Sequence, residues 1–249
     1  MSTNLKFKSS YHDLEQSKLF FSKELKKWYL KNFRRLPWRG NKKDPNYPYK
    51  ILVSEFMLQQ TGVKTVIPYF ENFIAKWPDI SSLAKASENE ILKYWQGLGY
   101  YSRGRNLLKT AQIINIDYNG IIPSNLDDLL SLPGIGEYAS AAIRSIAFDK
   151  KATVIDGNVK RVIARFFALN GKLKDNEKDI SSLAKYLTPN KGNANYSQAI
   201  MELGALICRP KQSNCSDCVV SHNCLSLKKG LVSKIPEAKN QINKKNLRC

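Results

Sequence analysis

Acidic side chains are scarce in this 249-residue sequence: 21 Asp and Glu stand against 40 Lys and Arg, which leaves a formal charge of +19 at neutral pH. Such an imbalance points to a polyanionic partner, either nucleic acid or an acidic membrane surface. Long apolar runs are missing. No stretch approaches the ~18 apolar residues of a membrane-spanning helix, and the first twenty residues, MSTNLKFKSSYHDLEQSKLF, contain no apolar core of a secretory signal. These absences predict an intracellular, soluble protein, cytoplasmic and nucleoid-associated if the polyanion is DNA. No segment alternates apolar and polar residues as a half-buried strand would, and neither internal repeats nor low-complexity blocks are found. Cysteine is sparse and unevenly placed, with five in all and four of them between 208 and 224. That crowding does not suit a secreted disulfide framework; it suits a metal or cluster site in a reducing compartment.

What is present argues for a well-packed core. Four Trp, twelve Tyr, ten Phe and 43% apolar residues exclude a disordered basic tail, and the length allows one or two domains. Apolar residues recur at helical spacing almost throughout, so about ten helices and an all-α fold are expected. Residues 17–33 carry Leu19, Phe20, Leu25, Trp28 and Tyr29 on one predicted face, and RRLPWRGNKKDPNYPY then breaks the helix with three prolines and a glycine. The nearly continuous apolar segment ILVSEFMLQQT (51–61) reads as a buried helix. Ser87-x-x-Glu90 and Ser124-x-x-Asp127 have the capping-box pattern and predict helix starts. Val159, Val162, Ile163, Phe166 and Phe167 mark another helix, as do Tyr196, Ile200, Leu203 and Ile207. Residues 225–249 lose periodicity and read as a basic tail or linker.

Three motifs carry chemistry. In LPGIGEYASAAI (132–143), Gly134 and Gly136 sit between two helical segments. A side-chain-free turn lets backbone amides at a helix N-terminus approach a phosphate oxygen, because a Cβ would hold the anion away. Gly134 would equally serve as a C-cap of the preceding helix. Asp156 opens DGNVKRVIARFFAL, just before a helix. There it can act as an N-cap, and the helix dipole favours its ionised form. Glu55 is flanked by Ile51, Leu52, Val53, Phe56, Met57 and Leu58. A helix apolar on nearly all sides is buried, and desolvation favours a carboxyl that keeps its proton. One carboxyl suited to donate and one suited to stay anionic is the division of labour that glycosidic cleavage requires.

The hairpin with its following aspartate resembles that of the helix-hairpin-helix DNA glycosylases. SEFMLQQT, WQGLGYYSRGRNL and DGNVKRV together resemble the adenine DNA glycosylases of the MutY type, over roughly residues 36–224. The resemblance implies an all-α fold in which residues 1–40 form an N-terminal extension and a helix of the cluster domain, 41–150 a six-helix barrel with the hairpin, 151–224 an iron–sulfur cluster domain and 225–249 a tail. The active site would lie in the cleft between barrel and cluster domain. It implies that Glu55 protonates adenine at N7 and later helps to activate water, while Asp156 stabilises the sugar intermediate. Bifunctional relatives such as endonuclease III carry a lysine where this chain has Tyr138, and only an amine forms a Schiff base; a monofunctional enzyme follows, with Tyr138 and Asn158 assisting Asp156.

Gln59 and Gln60 follow Glu55 by four and five residues and project from the same helix towards DNA. By resemblance, Gln60 and Tyr100 would wedge into the duplex during base extrusion; on their own, Tyr100 and its neighbour Tyr101 would pass for core aromatics. Arg103, Arg105 and Lys160 read as phosphate contacts or solvated charges. Cys208, Cys215, Cys218 and Cys224 are spaced C-x6-C-x2-C-x5-C. Four thiolates hold zinc or a [4Fe–4S] cluster equally well by spacing; the resemblance selects [4Fe–4S]. His222 is expected at the surface and Cys249 as a spare thiol.

MutY-type enzymes continue into a C-terminal domain that recognises 8-oxoguanine, and this sequence is expected to stop where the linker to it begins. The N-terminal extension and the GNKKDPNYP insertion also depart from the pattern. The expected partner is double-stranded DNA with a mismatched adenine, bound by a monomer. A thymine or uracil mismatch glycosylase of the same superfamily, and a non-catalytic DNA-binding module, are the competing readings.

Overall fold

A computed structural model of the chain describes residues 11–237. Among these residues every regular element is helical and no strand occurs, as the periodicity predicts. In chain order the helices are α1 (Tyr11–Asn32), α2 (Tyr47–Leu58), α3 (Val63–Lys76), α4 (Ile80–Ala84), α5 (Glu88–Trp95), α6 (Ser102–Asp117), α7 (Leu126–Ser131), α8 (Glu137–Phe148), α9 (Gly157–Phe166), α10 (Glu177–Leu187), α11 (Asn193–Glu202) and α12 (Leu225–Lys228), with a 3-10 turn at Pro37–Arg39 and a π-helical segment at Leu203–Ile207. No described helix is long and apolar enough to cross a membrane.

The described residues divide into two compact units, one drawn from 11–31, 155–187 and 199–237 and the other from Asn32–Val154 and Thr188–Gln198. In the second unit α2 is the central helix. Its residues from Ile51 to Met57 are all buried, and it packs on α3, α6 and α8. A continuous apolar sequence becomes a helix enclosed on every side, and so a helix with no solvent face for Glu55. Phe73 lies against Trp77 and Trp95, with ring centroids 4.7 and 6.2 Å away, and Trp38 meets Phe70 edge-on at 5.3 Å. The α5 helix starts in the capping box read from the sequence: the Ser87 hydroxyl accepts from the Glu90 amide, and a Glu90 carboxylate oxygen accepts from the Ser87 amide at 2.9 Å. The other expected box is displaced by one residue. Asn125, not Ser124, caps α7 and accepts from the Asp127 amide at 3.0 Å, while Ser124 lends its carbonyl to Arg144 and its hydroxyl to Lys150.

In the first unit the apolar stripe of α9 (Val159, Val162, Ile163, Phe166) is buried against α10, α12 and the π-helical segment. Phe21 of α1 meets Phe166 edge-on at 4.7 Å. The inward stripe of α1 is Phe21, Leu25 and Tyr29, whereas Leu19 is 67% exposed. The expected face of α1 is therefore correct for Leu25 and Tyr29 and wrong for Leu19, because the buried stripe passes through Phe21 at i−4 from Leu25.

Candidate active site

The residues singled out from the sequence fall into two groups, one in each unit. In the unit built around α2, Glu55 lies one turn before the helix end and is only 5% exposed. Immediately after the helix, Gln60 is exposed and adopts a left-handed backbone conformation (φ 60°), and so does Tyr100 (φ 47°), whose side chain is 65% exposed. Gln59, Gln60, Tyr100, Ser102, Gly136 and Tyr138 line a single surface groove. The structure thus brings together most of the expected DNA contacts of this unit. Within the groove the Gln59 side-chain amide donates to the carbonyl of Gly134 at 3.2 Å, tying the end of α2 to the hairpin. The hairpin is fixed on its other side by Thr110, whose hydroxyl donates to the Pro133 carbonyl at 2.9 Å.

The two hairpin glycines differ in kind. Gly134 has φ +79°, and a Cβ there would stand 2.8 Å from the Phe56 ring and 2.9 Å from Asn106. Its lack of a side chain serves internal packing and the left-handed turn. Gly136 is the N-cap of α8, with ordinary φ −98°, no side-chain cap and nothing within 4 Å of where a Cβ would be. Of the two, it is Gly136 whose missing side chain leaves open space before a helix N-terminus, where first-turn amides have no acceptor within the helix.

Arg103 overturns its expectation. It is 6% exposed, and its guanidinium donates to the carbonyls of Met57 (2.9 Å), Gln59, Leu98 (3.0 Å) and Gly99 (3.0 Å), with those of Phe56 and Tyr100 at 3.4 Å. A guanidinium filled by backbone oxygens has no donor left for a phosphate. Burial pulls its pKa below the ordinary arginine value. Arg105 is exposed and paired with Glu88 at 2.8 Å. Lys160, in the other unit, is paired with Glu177 at 2.8 Å.

In the unit containing α9, Asp156 caps the helix. One carboxylate oxygen accepts from the Val159 amide at 2.6 Å and the other from the Asn158 side-chain amide at 3.0 Å. Asn158 is held in turn by Arg161, whose terminal nitrogen donates to Asn158 Oδ1 at 2.9 Å and to the Gly204 carbonyl at 2.8 Å, while its Nε donates to the Cys208 carbonyl at 2.8 Å. Gly204 presses directly on this corner: a Cβ there would fall 2.7 Å from Asn158 Cβ. Sequence reasoning missed Arg161 and Gly204. The available signal was a pair of arginines, Arg161 and Arg165, four residues apart in an otherwise apolar helix face, where solvated charges do not belong.

Cys208, Cys215, Cys218 and Cys224 line one cavity together with Ile207, Leu227 and Val232. Arg165 reaches over it, donating to Cys208 Sγ at 3.4 Å and to the carbonyls of Arg209 (2.7 Å) and Pro210 (3.0 Å), which anchors the loop between the first two cysteines. Burial pushes the Cys218 thiol up to about 12 and raises Cys215 and Cys224 in the same direction. Among the described residues no three His, Cys, Asp or Glu side chains gather closely enough to hold a single metal ion. A [4Fe–4S] cube takes one thiolate at each iron, so an all-thiol set around one cavity fits it without the four sulfurs meeting at a point. His222 is exposed, as expected. Cys249 and the end of the tail lie outside the described residues.

The sequence profile of the HhH-GPD superfamily of base excision DNA repair proteins matches residues 53–189, a span that includes Glu55, the hairpin and Asp156. The chain is 41% identical over 211 residues to the adenine DNA glycosylase of Buchnera aphidicola subsp. Schizaphis graminum, covering 84% of this chain and 60% of that protein. It is 39% identical over 226 residues to the adenine DNA glycosylase of Homo sapiens, covering 87% of this chain and 41% of that one. The chain therefore spans less than two thirds of the length of either relative. A thermostable thymine-DNA glycosylase has a similar structure, with TM-score 0.76 and 30% identity over 86% of this chain and 98% of that one. Endonuclease III in a non-covalent complex with DNA matches at TM-score 0.68 and 20% identity over 87% and 98% of the two chains, a likeness of fold alone. The glycine hairpin, the capped aspartate and these similarities agree: the chain belongs to the HhH-GPD superfamily of base excision DNA repair proteins.

Proposed function

We propose that the protein is a monofunctional DNA glycosylase that hydrolyses the N-glycosidic bond of adenine mispaired with 8-oxoguanine or guanine in double-stranded DNA. The observation that carries this reading is Glu55: a carboxyl 5% exposed on an enclosed helix, one turn from the groove formed by Gln60, Tyr100 and Tyr138. Its neighbours on α2, Leu52, Val53, Phe56 and Met57, are buried and apolar. Glu55 donates its proton to N7 of the extruded adenine, the bond between C1′ and N9 breaks, and its electron pair leaves with a neutral base. Asp156, held by the Val159 amide and by Asn158, offers its anion to the oxocarbenium-like sugar. Water then adds to C1′ and returns a proton to Glu55. Tyr138 has no amine, so no Schiff base forms and the strand stays intact. The first-turn amides of α8, opened by Gly136, bind a backbone phosphate without reading sequence.

Cys208, Cys215, Cys218 and Cys224 hold a [4Fe–4S] cluster in this reading; the cluster crosslinks its loop and supplies no step of the hydrolysis. The enzyme acts as a monomer at the nucleoid. The 30% identity to a thymine-DNA glycosylase over nearly the whole of that chain supports a second reading, removal of thymine or uracil opposite guanine.

The test is base release from duplexes containing A opposite 8-oxoguanine, A opposite G, and T or U opposite G. Release of adenine, abolished by Glu55→Gln while DNA binding persists, is the expected result. Release of T or U alone would establish the second reading, and release from none would reduce the protein to a DNA-binding module.

A further inference from the structure

Two exposed side chains, Gln60 and Tyr100, stand on left-handed backbone (φ 60° and 47°) in the same groove. For residues other than glycine that conformation costs about 1–2 kcal/mol each, so something nearby must hold it. Both are anchored by one group. The carbonyl of Gln59, in the peptide preceding Gln60, and the carbonyl of Gly99, in the peptide preceding Tyr100, both accept from the Arg103 guanidinium. They are taken by its two different terminal nitrogens, and Nε reaches the carbonyl of Tyr100 itself at 3.4 Å. The guanidinium carbon lies 5.4 Å from the Tyr100 ring centroid and 5.7 Å from that of buried Trp95, so the cation also supports the exposed ring from behind. Trp95 completes the arrangement, its indole N–H donating to the Gly99 carbonyl at 3.2 Å.

We propose that Arg103 is the positioning residue of the duplex-opening wedge: one buried guanidinium locks the end of α2 to the Leu98–Tyr100 loop, so that Gln60 and Tyr100 enter the base stack as a single rigid element. This rests on the reading of those two side chains as the inserted pair. The flat five-donor fork of arginine can bridge two separate backbone segments; the compact ammonium of lysine cannot reach both. Arg103 borders the groove with its donors already taken by carbonyls, so it acts through the two side chains it seats.

The test compares wild type with Arg103→Lys on two substrates, a full duplex and one whose base opposite the target adenine is absent, so that extrusion no longer needs to break a pair. A 2-aminopurine beside the target reports opening by its fluorescence, independently of bond cleavage. In Arg103→Lys the fluorescence rise and base release on the full duplex fall by about 100-fold, the scale of a 1 Å misplacement. On the substrate lacking the opposite base, release returns to within about threefold of wild type, because there the wedge has little left to do. Wild-type opening by the lysine variant, or an equal loss on both substrates, would overturn the proposal; the equal loss would mean a merely structural role. A wild-type protein that opens the duplex without releasing adenine would refute the excision reading alone, since the fluorescence comparison still judges Arg103.

Discussion

The helices α8 and α9 begin in opposite ways. Gly136 opens α8 with no side chain and nothing within 4 Å of its missing Cβ, whereas Asp156 opens α9 with a carboxylate bonded to the Val159 amide at 2.6 Å. Both ends present the same partial positive charge and the same orphan amides. One is left empty and suits an anion that arrives from outside. The other is filled by the chain's own anion, which the cap, Asn158 and Arg161 hold in a fixed orientation. A helix N-terminus thus serves as a phosphate contact or as a mount for a charged side chain, depending on the single residue at the cap.

The sharpest way to break this contrast is Asp156→Asn. Asparagine caps helices about as well as aspartate, so melting temperature should change by only a degree or two (under about 0.5 kcal/mol) while base release falls at least about 100-fold, the scale seen when one group that stabilises transition-state charge is removed. Unchanged release would make Asp156 a cap and nothing more. The hairpin pair sharpens the other half. Gly134→Ala forces a Cβ into Phe56 and Asn106 at a left-handed position, and should lower stability by about 2 kcal/mol or more in denaturant unfolding. Gly136→Ala meets no protein atom and requires no unusual backbone. It should leave stability within about 0.5 kcal/mol yet weaken binding to undamaged duplex several-fold in a salt-titrated anisotropy assay, because the methyl group stands where the phosphate approaches.

Much of the candidate site was legible because its signals are local. The enclosed α2 follows from an unbroken apolar run, the cap at Asp156 from its position before an amphipathic helix, and the Ser87 box from a three-residue spacing. What stayed hidden depends on neighbours distant in sequence. Gly134 and Gly136 look alike in LPGIG, and only the approach of Phe56 and Asn106 separates a packing glycine from an open one. Ser124 and Asn125 are adjacent residues that can both cap, and Ser124 is drawn away by Arg144 and Lys150. Arg103 sits in a basic, glycine-rich stretch that reads as solvated. Its burial follows from six carbonyls, contributed by the end of α2 and by the loop before α6, that face the same point and that no periodicity encodes.

The π-helical segment Leu203–Ile207 holds one residue more than an α-helix would use for the same span. Deleting a single residue there would restore the regular winding and leave the chain on either side nearly in phase, because the wide turn takes up the extra residue within the same span. Were the same residues wound as an α-helix, the Cys208 amide, which the wide turn sends to the Leu203 carbonyl at 2.7 Å, would instead bond the Gly204 carbonyl and compete for it with Arg161. The irregular turn thus spares one carbonyl from the helical ladder, and the guanidinium that steadies Asn158 is itself steadied by it.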